Sequence, residues 1–296
     1  MLLVTFSEDG RTRIGVLDRA RAEIVDLARA APGLPQEMRT FIVLGAAGLT
    51  EARRAVASGA HRLPVARVKL LAPIPRPARN IFCAGKNYRA HAREFDSSGF
   101  GTAAENDAVP EVPIVFTKAP STVIGTGEPI PAWLDPTQST DYEGELAVVI
   151  GAGGRGIARA DAMRHVYGYT IVNDVSARAL QSRHKQWFLG KSIDGFCPMG
   201  PAIVTADEVP EVGGLRLQTR VNGELRQDAA VADLIFDIPT LIETLARTMT
   251  LEPGDVIATG TCAGVGVGFK PPKFLKHGDV VAVTIEPIGT LENPVA

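Results

Sequence analysis

Apolar and polar residues alternate in many short runs after residue 72, and this period of two predicts β-strands. The candidate strands are NIFCAG, PIVFTK, ELAVVIG, YGYTIVND, GPAIVT, LRLQTRVNGELRQDA, DVIATG and DVVAVTIEPIG. In the longest run, Asn222-Gly223 lies between alternating arms and predicts a two-residue hairpin turn. Beyond residue 72, helical periodicity is confined to residues 88–95, 159–166 and 239–249. These patterns predict an α+β fold whose body is a strand-rich, mixed β-roll.

The first 72 residues predict a small α/β domain. An Asp-Gly turn lies between apolar stretches in TFSEDGRTRIGVLD. Two segments have the period of short helices, PQEMRTFIVLG and LTEARRAVAS, and a further strand is predicted at VKLLAPIP. The stretch PIPRPARN has three prolines in eight residues, which favours a linker. We therefore predict an N-terminal α/β domain at 1–72 and a larger domain at 73–296.

Composition narrows the class of protein. Of the 296 residues, 45% are hydrophobic, so the chain can bury a sizeable core. The net charge of −2 comes from charges of both signs mixed along the chain, so no nucleic-acid partner is expected. Apolar runs fall short of the roughly 20 residues that span a membrane. The N-terminus lacks the features of a signal peptide. We expect a soluble, cytoplasmic protein.

The three cysteines, Cys83, Cys197 and Cys262, are widely separated in sequence. An odd number without CxxC spacing argues against a disulfide framework and against a zinc site. We expect ordinary buried thiols.

In the stretch STDYEGELAVVIG, three acids at alternating positions precede an apolar strand. Side chains alternate between the faces of a strand, so Asp141, Glu143 and Glu145 are predicted to share one face. Three like charges on one face are unfavourable unless a cation or water neutralises them. Carboxylate oxygens suit Mg²⁺ or Mn²⁺ better than zinc. A solvated edge strand remains the alternative.

A further acid, Asp174, ends the apolar run YGYTIV and would complete a set of three carboxylates. An acid in this position is also a common helix N-cap. Spacing alone does not show that Asp174 meets the glutamates.

Residues 151–156, GAGGRG, match the GxGxxG pattern of a dinucleotide-binding turn, and Asp174 follows at a suitable distance. Only about ten residues separate this turn from the next strand, which is short for a crossover helix. We therefore expect a strand-to-helix turn, and NAD(P) binding stays an alternative.

His91 and Glu94 in GKNYRAHARE are three residues apart, so they are neighbours if the segment is helical. A carboxylate beside an imidazole orients the ring and raises its basicity, as a general base requires. The alternative is an incidental surface pair.

Together the motifs resemble the fumarylacetoacetate hydrolase family. The resemblance covers roughly residues 70–290 and rests on seven runs in the family's order: IFCAGKNYRAHAREF, PIVFTKAPSTVIGTGEPI, DYEGELAVVIG, GYTIVNDVSARALQ, FLGKSIDGFCPMGP, RVNGELRQDA and IATGTCAGVG. The family's fold is a mixed β-roll, in agreement with the strand pattern. Residues before 70 resemble the variable N-terminal domain of its longer members.

The resemblance implies a site for Mg²⁺ or Mn²⁺ at Glu143, Glu145 and Asp174, with His91 and Glu94 as the catalytic dyad. Further implied site residues are a lysine near the reacting carbonyl, Lys191, and positions lining the substrate, Lys118, Arg178, Gln181 and Thr261. Asp141 has no clear ligand role and is expected behind the ligands, orienting the site.

The activity implied is hydrolysis of a carbon–carbon bond in an acylpyruvate or related 2,4-dioxo acid through a metal-stabilised enolate. Decarboxylation of oxaloacetate-like acids and keto–enol or 2-hydroxymuconate-type isomerisation share that intermediate and remain alternatives, as does a non-catalytic metal-stabilised binding protein. Fumarylacetoacetate hydrolase itself has an acidic ligand where this chain has Ala84, which argues against fumarylacetoacetate as substrate. We also expect a homodimer, and a lid at residues 96–112.

Overall fold

The structure is a computed structural model that describes residues 1–100 and 109–296. The N-terminal region contains five strands, β1 (Leu2–Glu8), β2 (Arg11–Asp18), β3 (Glu23–Asp26), β4 (Arg62–Pro64) and β5 (Lys69–Leu71). Its helices are α1 (Leu27–Ala30), α2 (Met38–Val43) and α3 (Gly45–Ser58). The predicted Asp-Gly turn is confirmed, because β1 and β2 pair across Asp9-Gly10, whose two φ angles are both positive.

The rest of the chain is rich in strands, as predicted. Up to residue 191 the strands are β6 (Ile81–Gly85), β7 (Ile114–Lys118), β8 (Val123–Ile124), β9 (Thr140–Asp141), β10 (Gly144–Ile150), β11 (Val166–Asn173) and β12 (Ser176–Ala177). Beyond it follow β13 (Cys197–Thr205), β14 (Arg216–Val221), β15 (Glu224–Ala230), β16 (Val256–Ala258), β17 (Val280–Ile285) and β18 (Gly289–Pro294). The helices are α4 (Arg89–Ser97), α5 (Arg178–Arg183), α6 (Phe188–Lys191) and α7 (Ile238–Thr248). The α+β class is confirmed.

Twelve strands form one mixed sheet whose main path runs β4-β3-β2-β1-β13-β11-β10-β16-β6-β7, with β5 on β1 and β8 on β13. A second sheet has the order β15-β14-β17-β18, and β9 pairs with β12. The Asn222-Gly223 turn joins β14 to β15, as predicted. The N-terminal strands continue the large sheet directly, since β1 pairs with β13. The sequence boundary at residue 72 therefore crosses one continuous sheet, and the division of the chain into two domains stays a prediction.

Strand β10 is buried on both faces. Leu146, Val148 and Ile150 belong to the core shared with the second sheet and α7. Ala147 and Val149 belong to the core on the other face, under α2 and α3. A strand buried on both sides is held firmly, so the residues at its start are well placed to form a rigid site.

Two sequence interpretations change in the structure. The helix predicted at 159–166 is reduced to a 3₁₀ turn at Ala162–His165, because the β-forming run that begins at Val166 joins β11. Strands β10 and β11, which flank GAGGRG, are antiparallel. A dinucleotide-binding turn requires a parallel pair joined by a crossover helix, so that alternative is wrong.

Among residues 1–100 and 109–296, no helix combines the length and apolarity needed to cross a bilayer. The lid predicted at 96–112 includes residues 101–108, which lie outside the described residues.

Candidate active site

Sheet register brings the three predicted metal-binding acids together. Gly144 of β10 is paired with Asn173 of β11, so the residues just outside this pair, Glu143 and Asp174, face each other. The pairing extends beyond the strands, since the Asp174 amide donates to the Glu143 carbonyl at 2.8 Å. One carboxylate oxygen from each of Glu143, Glu145 and Asp174 lies within 4.8 Å of the other two, and all three residues are buried. We call this group the acid cluster.

Two lysines neutralise part of the acid cluster. Lys191 Nζ donates to Glu143 Oε2 and to Asp174 Oδ2, both at 2.7 Å. Lys118 Nζ lies 2.8 Å from Asp174 Oδ1 and also donates to the carbonyls of Val175 and Lys191. Burial alone would lower the pKa of Lys191, but the charges of Asp174 and Glu143 outweigh it and raise that pKa. Lys191 is therefore an ammonium that touches two of the acids.

The cluster's carboxylates differ in their proton affinity. Burial raises the pKa of Glu145 well above its usual value, and the charges of Asp174 and Glu143 raise it further. Burial acts on Glu143 too, but Lys191 and Arg178 hold the pKa of that carboxyl well below its usual range. Glu145 accepts a hydrogen bond from the Gly260 amide at 2.7 Å. A positive charge added near the cluster would therefore favour the ionised form of Glu145.

Asp141 lies outside the acid cluster, although simple alternation predicts a shared face. The chain breaks its strand pattern at residues 142–143, between β9 and β10. Asp141 accepts from Arg178 Nε at 2.8 Å and from the amides of Gly266 and Val267 at 2.7 and 3.0 Å. Arg178 Nη1 in turn lies 2.5 Å from Glu143 Oε1. The geometry thus gives Asp141 the means to orient the site through Arg178.

His91 and Glu94 lie on α4 and contact each other as helical spacing predicts. His91 Nδ1 is 3.2 Å from Glu94 Oε2, and His91 is buried. The other Glu94 oxygen accepts from the Gly264 amide at 2.9 Å. Since Nδ1 faces Glu94, Nε2 is the ring nitrogen left for proton transfer.

A small cavity is lined both by the two cluster glutamates and by His91 of the dyad. Its walls include most of the predicted site residues, namely His91, Glu143, Glu145, Arg178, Gln181, Lys191 and Thr261. Lys118 and Asp174 do not line it; Lys118 is fully buried behind Asp174. Lys118 contacts a cluster acid, and its contact with the substrate stays a prediction.

Several cavity residues are absent from the sequence prediction: Gly85, Lys86, Phe95, Phe116 and Trp187. Lys86 pairs with Asp96 at 2.7 Å, and its position directly after β6 is the sequence signal that could have revealed it. A side chain at Gly85 would collide with the Trp187 ring, at 2.4 Å. Ring contacts across strands and loops carry no sequence period, so these residues could not be found from the pattern.

Thr261 lines the cavity, but its hydroxyl is hydrogen-bonded to other groups of the protein. It donates to the Gly144 carbonyl at 2.9 Å and accepts from Gln227 Nε2 at 2.7 Å. Gln227 is fully buried, and its Oε1 accepts from the Gly144 amide at 3.0 Å. The backbone between the two cluster glutamates is thereby fixed on both sides.

Gly144→Ala should disrupt this backbone. A Cβ at residue 144 would lie 2.3 Å from Thr219 Oγ1 and 2.9 Å from a Val283 methyl group. We expect the free energy of unfolding to fall by about 1–3 kcal/mol, as for other overpacked cores, in urea denaturation. Gly214→Ala is the matched control, because a Cβ there has no atom of the described residues within 4 Å. Equal stability of the two variants would contradict the close packing behind the glutamates.

The three cysteines are free and buried, as expected. Burial raises the pKa of Cys262 to about 12, so its thiol stays protonated at neutral pH. Cys262 packs in the main hydrophobic core.

Residues 80–296 match the family model described as fumarylacetoacetate (FAA) hydrolase C-terminal. Among curated proteins, the chain is 55% identical over 237 residues to oxaloacetate tautomerase YisK of Bacillus subtilis, covering 80% of this chain and 76% of that protein.

Among solved structures, a fumarylacetoacetate hydrolase from Exiguobacterium antarcticum superposes with a TM-score of 0.83 at 44% identity, covering 100% of this chain and 99% of the other. Maleylpyruvate hydrolase from Sphingobium, in complex with manganese(II) and pyruvate, superposes with a TM-score of 0.80 at 33% identity, covering 100% and 99%.

Proposed function

The chain belongs to the fumarylacetoacetate hydrolase family, and on that premise we propose that it is a divalent-metal-dependent tautomerase of oxaloacetate or a similar 2-oxo dicarboxylic acid. The observation that carries the proposal is one cavity lined by Glu143 and Glu145 of the acid cluster and by His91, which Glu94 contacts from outside the cavity. The similarity to an oxaloacetate tautomerase supports this reaction over others that use an enolate.

The acid cluster fits a divalent cation. Three carboxylates converge from two strands, and their oxygens are the ligands that Mg²⁺ and Mn²⁺ prefer. Because burial and the neighbouring acids raise the pKa of Glu145, a cation bound at the cluster would favour its ionised form. We infer that Glu143, Glu145 and Asp174 hold Mg²⁺ or Mn²⁺, which would polarise the 2-oxo group and stabilise negative charge on its oxygen. Manganese(II) in the maleylpyruvate hydrolase complex supports the assignment.

The charges on the cavity wall suit a carboxylate substrate. Lys86, Arg178 and Lys191 all line the cavity. Arg178 is buried, and its Nη2 makes no hydrogen bond within the part of the chain that the structure describes. A buried guanidinium with a donor to spare is suited to binding a carboxylate oxygen.

His91 would move the proton. In the direction from keto to enol, Nε2 takes a proton from C3, the electron pair of that C–H bond becomes the C2=C3 double bond, and the carbonyl oxygen gains the negative charge. Lys191 would donate a hydrogen bond to that oxygen. The oxygen then takes up a proton from water to give the enol, and His91 Nε2 releases its proton to water, which restores the neutral imidazole. Glu94 holds the imidazole through Nδ1.

Hydrolysis of an acylpyruvate is the second candidate. The same dyad could activate a water molecule instead of C3, and a maleylpyruvate hydrolase shares the fold along the whole chain. A homodimer and a cytoplasmic location also stay predictions.

A direct assay separates these activities. We expect added enzyme with Mg²⁺ or Mn²⁺ to speed the loss of enol absorbance of fresh oxaloacetate well above the spontaneous rate, and a chelator to remove that gain. Release of pyruvate and an acid from acylpyruvates, with no effect on the enol, would instead identify a hydrolase. Release of CO₂ from oxaloacetate without faster tautomerisation would identify a decarboxylase.

A further inference from the structure

We propose that Gly268 is a positioning residue: because it has no side chain, it leaves the space in which Glu94 can bind His91. The role of His91 in turnover comes from the proposed function, but the contact itself is tested below without activity. Gly268 is not one of the residues that line the cavity, so it would act only through Glu94.

The space at Gly268 is filled by the Glu94 side chain. A Cβ built on Gly268 would lie 2.1 Å from Glu94 Oε1, 2.4 Å from Cδ and 2.5 Å from Cγ. Such distances are far inside van der Waals contact, so any side chain at residue 268 must displace Glu94 or the segment that carries Gly268.

The segment that carries Gly268 is the more firmly held of the two. Val265 and Val267 pack in a small apolar cluster with Phe95 of α4. The amides of Gly266 and Val267 both donate to the buried carboxylate of Asp141. The Glu94 side chain is 17% exposed, so it can adopt other rotamers that point toward solvent. An added methyl group at residue 268 would therefore move Glu94.

Moving Glu94 breaks the contact that orients the imidazole. Its two oxygens contact His91 Nδ1 at 3.2 Å and the Gly264 amide at 2.9 Å, so no spare oxygen is left to compensate. The same segment is tied through Asp141 and Arg178 to Glu143 of the acid cluster. Residues 264–268 thus fix the dyad and the cluster relative to each other.

Alanine at residue 268 is a clean probe, because Gly268 is absent from the glycines with positive φ. Gly268→Ala adds one methyl group without backbone strain. Nitrogen-15 chemical shifts of the His91 ring should show the wild-type protein mainly as the Nδ1–H tautomer, bound to Glu94. In Gly268→Ala the shifts should move toward those of Glu94→Ala, with tautomers mixed. Unchanged His91 shifts in Gly268→Ala would overturn the proposal, whatever reaction the enzyme catalyses.

Kinetics supply the second readout. Gly268→Ala should lower kcat by about 10–100-fold, the range expected when the partner that orients a functional imidazole is lost. It should leave the affinity for Mn²⁺ within about twofold, since no cluster residue is touched. In a Glu94→Ala background the same change should cost nothing further, because the displaced side chain is gone. An equal loss in both backgrounds would show a general packing defect and overturn the proposal.

Thermal unfolding covers the case in which Gly268→Ala folds poorly. Glu94→Ala/Gly268→Ala has room for the methyl group, so its Tm should equal that of Glu94→Ala. A Tm well below that value would show that the methyl group at residue 268 collides with atoms other than those of Glu94. That result would contradict the proposed role of Gly268. Gly214→Ala, with no atom of the described chain within 4 Å of its Cβ, should match the wild type throughout.

Discussion

Glu145→Gln should abolish binding of Mg²⁺ or Mn²⁺ at the acid cluster and lower turnover by about a thousandfold or more. That loss corresponds to several kcal/mol of charge stabilisation, the scale of a metal's contribution to a developing oxyanion. The neutral amide keeps the shape of the side chain and can still accept from the Gly260 amide. Calorimetric titration with Mn²⁺ and the enol assay measure the two effects.

The metal-free stability of Glu145→Gln is expected to equal or exceed that of the wild type. Burial and the charges of Asp174 and Glu143 disfavour an ionised carboxyl at this position, and an amide removes that conflict. A stable protein without metal binding would separate the ligand role from a folding role. Glu51→Gln, on the exposed face of α3, is the matched control and should behave as the wild type. Normal metal binding by Glu145→Gln would contradict the site.

His91→Ala should lower the rate of tautomerisation by about 10²–10⁴-fold, the usual contribution of a positioned general base. Metal affinity should be retained, because His91 is not one of the acid-cluster residues. Any metal-driven decarboxylation of oxaloacetate should persist in this variant, since it needs no proton acceptor at C3. Parallel assays of enol loss and CO₂ release measure the two reactions.

His184→Ala is the control for that experiment, because His184 is exposed at the end of α5 and lines no part of the cavity. It should match the wild type in both assays. Full tautomerase activity in His91→Ala would contradict the proton-transfer role of His91. Catalysis would then have to be explained by the metal alone.

The strands were predictable from the sequence because their alternation is local. The Asn222-Gly223 hairpin and the strand at 144–150 carry their signals within a few residues. The 3₁₀ turn at Ala162–His165 was predicted as an α-helix. The run of helix-forming residues there does not reveal that strand β11 begins at Val166 and ends the helical segment.

The meeting of Asp174 with the glutamates depends on register, which alternation alone does not fix. Partners along β10 and β11 shift where Val149 faces Gly168 and Ile150 faces Val166. Such a bulge changes the register by one residue, and a slip of one residue moves side chains to the opposite face. Family resemblance supplied the pairing that periodicity could not.

Asp141 shows the limit of strand alternation at a site. The pattern placed it with Glu143 and Glu145, but the break at residues 142–143 turns it toward Arg178 and the amides of Gly266 and Val267. Those amides are more than a hundred residues away in sequence. A carboxylate held by distant backbone donors leaves no local signature, so its partners emerge only from the fold.

Crystals of the protein soaked in Mn²⁺, with data collected at the manganese absorption edge, test the central claim most directly. We expect one strong anomalous peak within bonding distance of an oxygen from each of Glu143, Glu145 and Asp174, with Lys191 displaced from between two of them. An active, manganese-loaded protein whose anomalous peak lies away from these carboxylates would contradict the proposed metal site and the chemistry derived from it.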